Sequence, residues 1–589
     1  MDNRSLRKFL LAAGAAALAV ALAVWVTGGV QTSMGGLAIR IRGAARPLAA
    51  GLLLLAVYAV LERRALAAAI RDRRLAARLA PWIAIGAATC VTALAVRYGA
   101  FVAGGSDAYG YVSEAYGWAR GELPRPYPVP LALPFASNVW LQTPLGYWPG
   151  AAPDTIVPSY APGLPLLMAI GIRLADPIGP YLVVPISAGA FVWAAFVLGR
   201  RLAGPVAGMA SAALAAGSPI ALFMALSPMS DVPSAAIWTG VAAAAIGDRR
   251  RDAIAAGLLA ALGILVRPNL APLAVLPVIV RLTRFRLKED VLYCALWMPA
   301  AIAIGALNAY WYGSPFLSGY GDPHALYSRQ NVWPNLGHYV SWLVQSQSAA
   351  IAVAAVSLAV VARRSARRAP TALVWAFALV TLLLYLPYER YELWWYLRFL
   401  LPGMGALIAL TALSLVTIAR RVRAPWGHAI AAAIFALLAW HSVSFARAQQ
   451  MYGPFKASEQ KYADTGAFIA QRLPPNAVFF SMQHSGSIRY YGGRHTLRYD
   501  LLDADTARRA PAALERMGLH PYLAIEDAET ADVRKVFGLP GERPLPWPYV
   551  ARMNRFGGVS IFDLAARPSD EAPVPIEPGL AHAYAPPRR

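Results

Sequence analysis

A polytopic α-helical membrane protein with a C-terminal external α/β domain is the fold class this sequence predicts, on three observations. Of 589 residues, 58% are hydrophobic, and the mean hydropathy is positive, unlike that of an ordinary soluble domain. Apolar runs of roughly 15 to 22 residues recur up to about residue 443, the length a helix needs to cross a ~30 Å hydrocarbon core. From about Arg447 no run is long enough to span, and charges of both signs appear.

The spans follow in order. Residues 1–8 are basic and 9–26 apolar; without a small-x-small cleavage site before Gly28, this reads as a retained anchor. Residues 27–47 carry Arg40, Arg42 and Arg46 and should lie outside if both flanking runs span. Residues 48–61 form a short second span. Residues 62–78, with six arginines, are the clearest cytoplasmic loop of the N-terminal part. Residues 81–100 then run outward and deliver Asp107 to the external face. Further on, spans at 178–198, 232–246, 270–280, 349–361 and 399–418 run inward. Spans at 206–226, 253–266, 291–311, 373–386 and 429–443 run outward. Arginine clusters such as Arg200-Arg201, Arg249–Arg251 and Arg420–Arg423 mark the inward ends. The expectation is about 13 spans, a cytoplasmic N-terminus and an external C-terminus. The net charge of +23 is carried by these short clusters, so it describes cytoplasmic loops and not a nucleic-acid face. Cys90 and Cys294 lie in apolar segments, where they read as buried small side chains that supply neither a disulfide framework nor a metal site.

Residues 1–446 are thus the membrane domain and 447–567 an external α/β domain. Helical spacing at 458–472 and 506–517 alternates in the latter with short apolar strands at 477–482, 522–525 and 559–564. A Pro- and Ala-rich tail at 568–589 reads as disordered. No catalytic motif falls in the external domain: Ser485-Gly486 lacks the preceding glycine of a nucleophile elbow, and no Gly-rich phosphate loop follows a strand.

That leaves the outer membrane face. The long polar interval at 100–172 is the first in an otherwise apolar chain, dense in Tyr, Trp and Pro, and reads as an active-site loop. In it Asp107 opens an amphipathic segment, and Glu114, seven residues on, shares its helical face. Tyr109 and Tyr111 stand between them. Three more charges are brought to the same depth by the topology: Asp231 in Ser227-Pro-Met-Ser-Asp-Val-Pro233, Arg267 in Leu265-Val-Arg-Pro-Asn269, and Arg398 in Trp394-Trp-Tyr-Leu-Arg-Phe-Leu-Leu-Pro402. His324 and Tyr327 lie in the outer loop at 313–347. Carboxylates beside arginines suit transfer from an anionic lipid carrier, because a carboxylate can take the acceptor proton while guanidinium groups hold a phosphate leaving group. Asp107 and Asp231 are the candidate catalytic residues; Glu114, Arg267, Arg398, Tyr109 and His324 are the candidate substrate-binding residues. Each also has a structural reading: Ser106-Asp107 and Ser230-Asp231 are good helix starts, and an arginine in a Trp-Tyr belt can simply snorkel.

With these residues in view, the chain resembles the GT-C glycosyltransferases, the membrane class of protein O-mannosyltransferases and bacterial aminoarabinose transferases, and more closely the bacterial RgtA/B/C/D-like group. The resemblance rests on Ser106-Asp107-Ala-Tyr-Gly-Tyr-Val-Ser-Glu-Ala115, Ser230-Asp231-Val-Pro233, Gly313-Ser-Pro-Phe-Leu-Ser-Gly-Tyr-Gly321, Leu397-Arg-Phe-Leu-Leu-Pro402, and Gln483-His-Ser-Gly-Ser-Ile-Arg-Tyr-Tyr491 in the tail. It implies a polyprenyl-phosphate sugar donor, inversion at the anomeric carbon, and Asp107 as general base. Glu114 does not directly follow Asp107, as an acidic residue does in the Asp-Glu form of the motif, so a divalent metal lacks support and no cofactor is called for. The implied partners are the lipid-linked sugar, a lipid, glycan or protein acceptor, and the bilayer of a bacterial inner membrane; nucleic acid is excluded. Two other classes compete: a transporter or flippase, which would carry charge near the bilayer midplane and an internal repeat, and a non-catalytic envelope assembly protein.

Overall fold

The computed structural model describes residues 3–27, 30–34, 37–41, 45–61, 73–126, 133, 139–282, 287–363, 366–423, 426–541, 544–566 and 572–581. Of the expected cytoplasmic loop at 62–78, residues 62–72 lie outside this set. Six helices among the described residues are long and apolar enough to cross a membrane: Arg74–Tyr98, Gly179–Ala203, Leu287–Tyr312, Arg368–Tyr385, Trp394–Arg421 and Trp426–Ala448. A seventh span would join Arg329–Gln347 and Ala349–Val361, which meet at 102°.

Several other expected spans are broken or shorter, and at some of the breaks stands proline, which removes a backbone donor and crowds the preceding turn. The run at 206–226 is divided at Gly217-Ser218 into Pro205–Ala216 and Pro219–Met224. The run at 270–280 becomes a 3-10 segment, Pro268–Ala274, followed by the short helix Leu276–Leu282. Residues 349–361 are mostly 3-10, over Ala349–Ser357. Other runs give shorter α-helices, Asp231–Ala245 and Arg250–Val266. At the N-terminus, Asn3–Thr27 and Ala45–Leu61 flank an antiparallel hairpin, Val30–Met34 with Leu37–Ile41.

Trp394–Arg421 is the most enclosed of the six and forms the centre of the bundle. Between lipid-embedded helices there is little hydrophobic drive, so close approach of small residues does the holding. Ala406, Ala409, Ala412 and Ser414 on this helix are accordingly buried. Trp82, Ile302 and Trp440 instead face outward on the peripheral helices, where apolar side chains meet hydrocarbon. Cys90 is on that outer surface too and not buried as expected, since the span carrying it is peripheral; Cys294 is half-buried, and both thiols are free.

At one end of the bundle, helix Asp107–Arg120 is buried over nearly its whole length. It is overlain by a three-stranded sheet in the order Arg125–Pro126, Thr155–Pro158, Tyr147–Pro149. The C-terminal region packs on that same end. Its six-stranded mixed sheet runs Val574–Pro575, Tyr549–Met553, Val559–Asp563, His520–Glu526, Ala477–Phe480, His495–Leu497. Alternation along the strands builds two apolar layers. Val478, Phe480, Leu523 and Ile525 pack with Ala507, Leu514 and Phe537 of helices Ala504–Arg516 and Thr530–Phe537. Phe479, Tyr522 and Ala524 pack with Phe468 and Ile469 of helix Pro454–Arg472. The strands at 477–480, 520–526 and 559–563 and both expected helices are present; those at 495–497, 549–553 and 574–575 are too short or too polar to read from alternation.

The expected tail at 568–589 divides. Residues 567–571 and 582–589 lie outside the described set, whereas 572–581 lie against the domain. Ile576 is buried, and Asp464, a buried carboxylate, accepts from the backbone N–H of Gly579 (2.8 Å) and Ala581 (3.1 Å). A buried carboxylate needs such donors, and here the tail supplies them.

Candidate active site

Asp107 is the first residue of its helix, and no side-chain cap forms there: Ser106 makes no capping hydrogen bond. Its carboxylate is turned to tertiary partners. Oδ1 accepts from the Tyr160 hydroxyl at 2.6 Å, and Oδ2 faces Arg398 Nη1 at 3.2 Å. Ser106 Oγ lies 2.9 Å from the same Tyr160 oxygen and donates to it. Burial, and then the Asp107 carboxylate, push the Tyr160 phenol well above its ordinary value, so it remains a proton donor at neutral pH.

Asp231 repeats the pattern. It opens helix Asp231–Ala245, Ser230 gives no side-chain cap, and the carboxylate is fully buried. Arg267 Nη2 donates to Oδ1 at 2.6 Å, and Arg398 Nη1 stands 4.0 Å from Oδ2. Arg267 Nε donates to Ser230 Oγ at 3.0 Å, and Ser230 Oγ is in turn 2.8 Å from the Tyr111 hydroxyl. Asp231 therefore stands between two guanidinium groups and offsets their mutual repulsion.

Neither arginine snorkels: the Arg267 and Arg398 side chains are only 14% and 17% exposed. Arg398 comes from the 3-10 turn Trp394–Leu400, which aims it inward across the rings of Tyr396 and Phe399. Arg267 ends helix Arg250–Val266 in an extended conformation, ahead of Pro268. Each retains a buried N–H without a partner, Arg267 Nη1 and Arg398 Nε. Unsatisfied buried donors cost about 1–3 kcal/mol each, so an anion that accepted from both would be held firmly.

Asp107, Asp231, Arg267 and Arg398 all line one cavity of about 360 Å³, to which Glu389 also contributes. Its other walls are largely aromatic, with Tyr111, Tyr160, Trp311, Tyr320, Tyr385 and Tyr388 among them. Tyr327 also reaches it. The site does not fit a metal. Asp107 and Asp231 face guanidinium groups, Glu389 is the third carboxylate in the lining, and among the described residues no three His, Cys, Asp or Glu side chains come together as ligands would.

Three sequence-predicted residues stand apart from the cavity. His324 is exposed on the outer loop. Tyr109 is buried against the C-terminal domain, its ring 6.4 Å from that of Tyr490. Glu114 is fully buried within its helix bundle, with Trp118 Nε1 donating to Oε1 at 3.0 Å and Oε2 unpartnered. Burial pushes its carboxyl well above the ordinary range; the Trp118 hydrogen bond and Arg125 oppose this only in part. Such a group stabilises the fold fully below the ordinary carboxylate range, and that contribution is lost as pH climbs through the raised folded value. Glu114→Gln, which cannot ionise, is therefore expected to raise the melting temperature relative to wild type at pH 8 and to leave it unchanged at pH 4. An equal effect at both pH values would contradict the neutral-acid assignment.

Sequence reasoning missed Tyr160, Ser230 and Tyr320 as individual site residues, although all three fall inside stretches it had marked. No spacing rule singles out one loop tyrosine from its neighbours.

Comparison with protein-family models and with the sequences of curated proteins gives no match. Solved structures do match. ArnT from Cupriavidus metallidurans bound to undecaprenyl phosphate superposes with a TM-score of 0.51 at 14% identity, covering 82% of this chain and 98% of that one. Its apo form gives 0.50 at 15% identity over the same shares. The archaeal oligosaccharyltransferase AglB from Archaeoglobus fulgidus, in complex with an inhibitory peptide and a dolichol-phosphate, gives 0.50 at 12% identity, covering 83% of this chain and 75% of that one. At these identities the likeness is one of fold.

Proposed function

We propose that this chain, whose fold is that of the GT-C membrane glycosyltransferases, moves a sugar from a polyprenyl-phosphate donor to an acceptor hydroxyl on the external face of a bacterial inner membrane. The observation that carries this reading is the single cavity in which the Asp107 carboxylate stands beside two guanidinium groups with spare buried donors. The neighbouring folds were solved with undecaprenyl phosphate and with dolichol-phosphate, which supports a lipid-phosphate donor.

In the proposed reaction the acceptor oxygen attacks the anomeric carbon. A new C–O bond forms there, and the acceptor proton passes to Asp107. The bond from that carbon to the phosphate oxygen breaks on the opposite side, and its electron pair leaves with the polyprenyl phosphate. One displacement inverts the anomeric centre. Arg398 and Arg267 balance the charge that builds on the leaving phosphate, while Asp231 keeps the two cations side by side.

Residues 1–446 act here as the membrane domain and 447–567 as an external domain packed over the site. The direct test is transfer from a polyprenyl-phosphate sugar by the purified protein, read by mass spectrometry of the product; absence of any transfer or donor hydrolysis across a panel of lipid-linked sugars counts against it. Orientation is tested separately. Reporter fusions at Lys456 and Arg73 are expected to report external and cytoplasmic positions respectively, because arginine clusters mark the inward ends. A cytoplasmic signal at Lys456 overturns the placement of the site.

A further inference from the structure

We infer that Tyr160 is a positioning residue for the base: its hydroxyl fixes one oxygen of Asp107 so that the carboxylate meets the acceptor in one orientation. The inference rests on the reading of Asp107 as general base and adds a group that the chemistry above does not use.

The geometry is built for this contact. Tyr160 is 6% exposed, and its hydroxyl has two polar neighbours, Asp107 Oδ1 at 2.6 Å and Ser106 Oγ at 2.9 Å. A phenol has one proton to give. With Ser106 donating to the phenol oxygen, that proton points at Asp107, so the order of donation is Ser106 to Tyr160 to Asp107. The ring reaches this place because of Gly110, one helical turn beyond Asp107. A Cβ at Gly110 would lie 2.2 Å from Tyr160 Cε2, so only glycine lets the phenol lie along the helix and reach back to the carboxylate. Tyr111 at 4.4 Å and Tyr320 at 5.8 Å between ring centroids hold the ring from its other sides.

Arg398 alone would leave the carboxylate free to turn about its terminal torsion, which is broad. The phenol removes that freedom. The other ionisable groups around Asp107 are Arg398 and Tyr396 from the turn Trp394–Leu400, Tyr111 on its own helix and Tyr320 from the outer loop, with Asp231 and Arg267 beyond Arg398. None of these donates a neutral hydrogen bond to Oδ1, so the contribution of Tyr160 can be separated from theirs.

The test is Tyr160→Phe, which keeps the ring and deletes the donor, assayed as kcat and KM separately with thermal unfolding alongside. The expected result is wild-type thermal stability with kcat roughly tenfold lower and KM little changed, the loss expected when one orienting hydrogen bond is removed. Tyr160→Phe added to Asp107→Asn should lower turnover no further than Asp107→Asn alone, since one residue acts through the other. An unmoved kcat, a loss confined to KM, or a full additional loss in the double variant overturns the positioning role while leaving the base in place. Full turnover by Asp107→Asn overturns both.

Discussion

Asp107→Asn is expected to give a folded, membrane-inserted protein whose turnover is down by about 10² or more, the usual scale for losing a general base. An acceptor hydroxyl is too weakly acidic to attack unaided at neutral pH, and it becomes nucleophilic as a carboxylate accepts its proton. Asparagine keeps the size of aspartate and still accepts from Tyr160 through its carbonyl, but cannot take that proton. The carboxylate makes no helix-capping contact to lose; its partners are Tyr160 and Arg398. A fall in turnover at unchanged melting temperature therefore reports chemistry. Near-wild-type transfer by the purified variant would sink the mechanism and make Asp231 the next carboxylate to examine.

Arg398 should show the second large effect. It stands between the two carboxylates, 3.2 Å from Asp107 and 4.0 Å from Asp231, with Nε buried and unpartnered. Removing one preorganised donor from a site of developing charge costs about 10²–10³ in rate, so Arg398→Ala is expected to lose transfer on that scale. Arg398→Lys restores the charge but not the planar fork that engages two oxygens, and should recover activity only in part. Steady-state kinetics at varied donor concentration checks both, with full activity in the two variants returning Arg398 to the role of an interfacial belt residue.

The membrane class, the C-terminal α/β region and the four converging charges were legible in the sequence for one reason: charge is costly in hydrocarbon, so where it occurs is informative. Asp107, Asp231, Arg267 and Arg398 all fall at the ends of apolar runs, and chain topology alone brings them to one depth. The span count was less legible, because apolar composition does not reveal where a run breaks into short helices or 3-10 segments, with proline at some of the breaks and not at others. Glu114 shares a face with Asp107, but seven residues of helix is about 10 Å, enough to carry it from the cavity into packed interior. Tyr160 was hidden by abundance. With 27 tyrosines in the chain, only the fit of one ring against Gly110 distinguishes it, and that fit is a property of three dimensions.

The C-terminal domain touches the Asp107 segment directly. A Cβ at Gly104 would collide with the Tyr462 ring, one at Gly486 with the Tyr109 ring, and Ala103 N–H donates to the Tyr491 hydroxyl across 388 residues of chain. Leu145 N–H donates likewise to Ser485 Oγ. The support beneath the Asp107 segment is thus contributed by residues 462–491, far along the chain. Until those residues are synthesised, the segment around Asp107 has this seat half built. A chain ended before residue 462 lacks that side of the seat, which ties the support of Asp107 to synthesis of the C-terminal region.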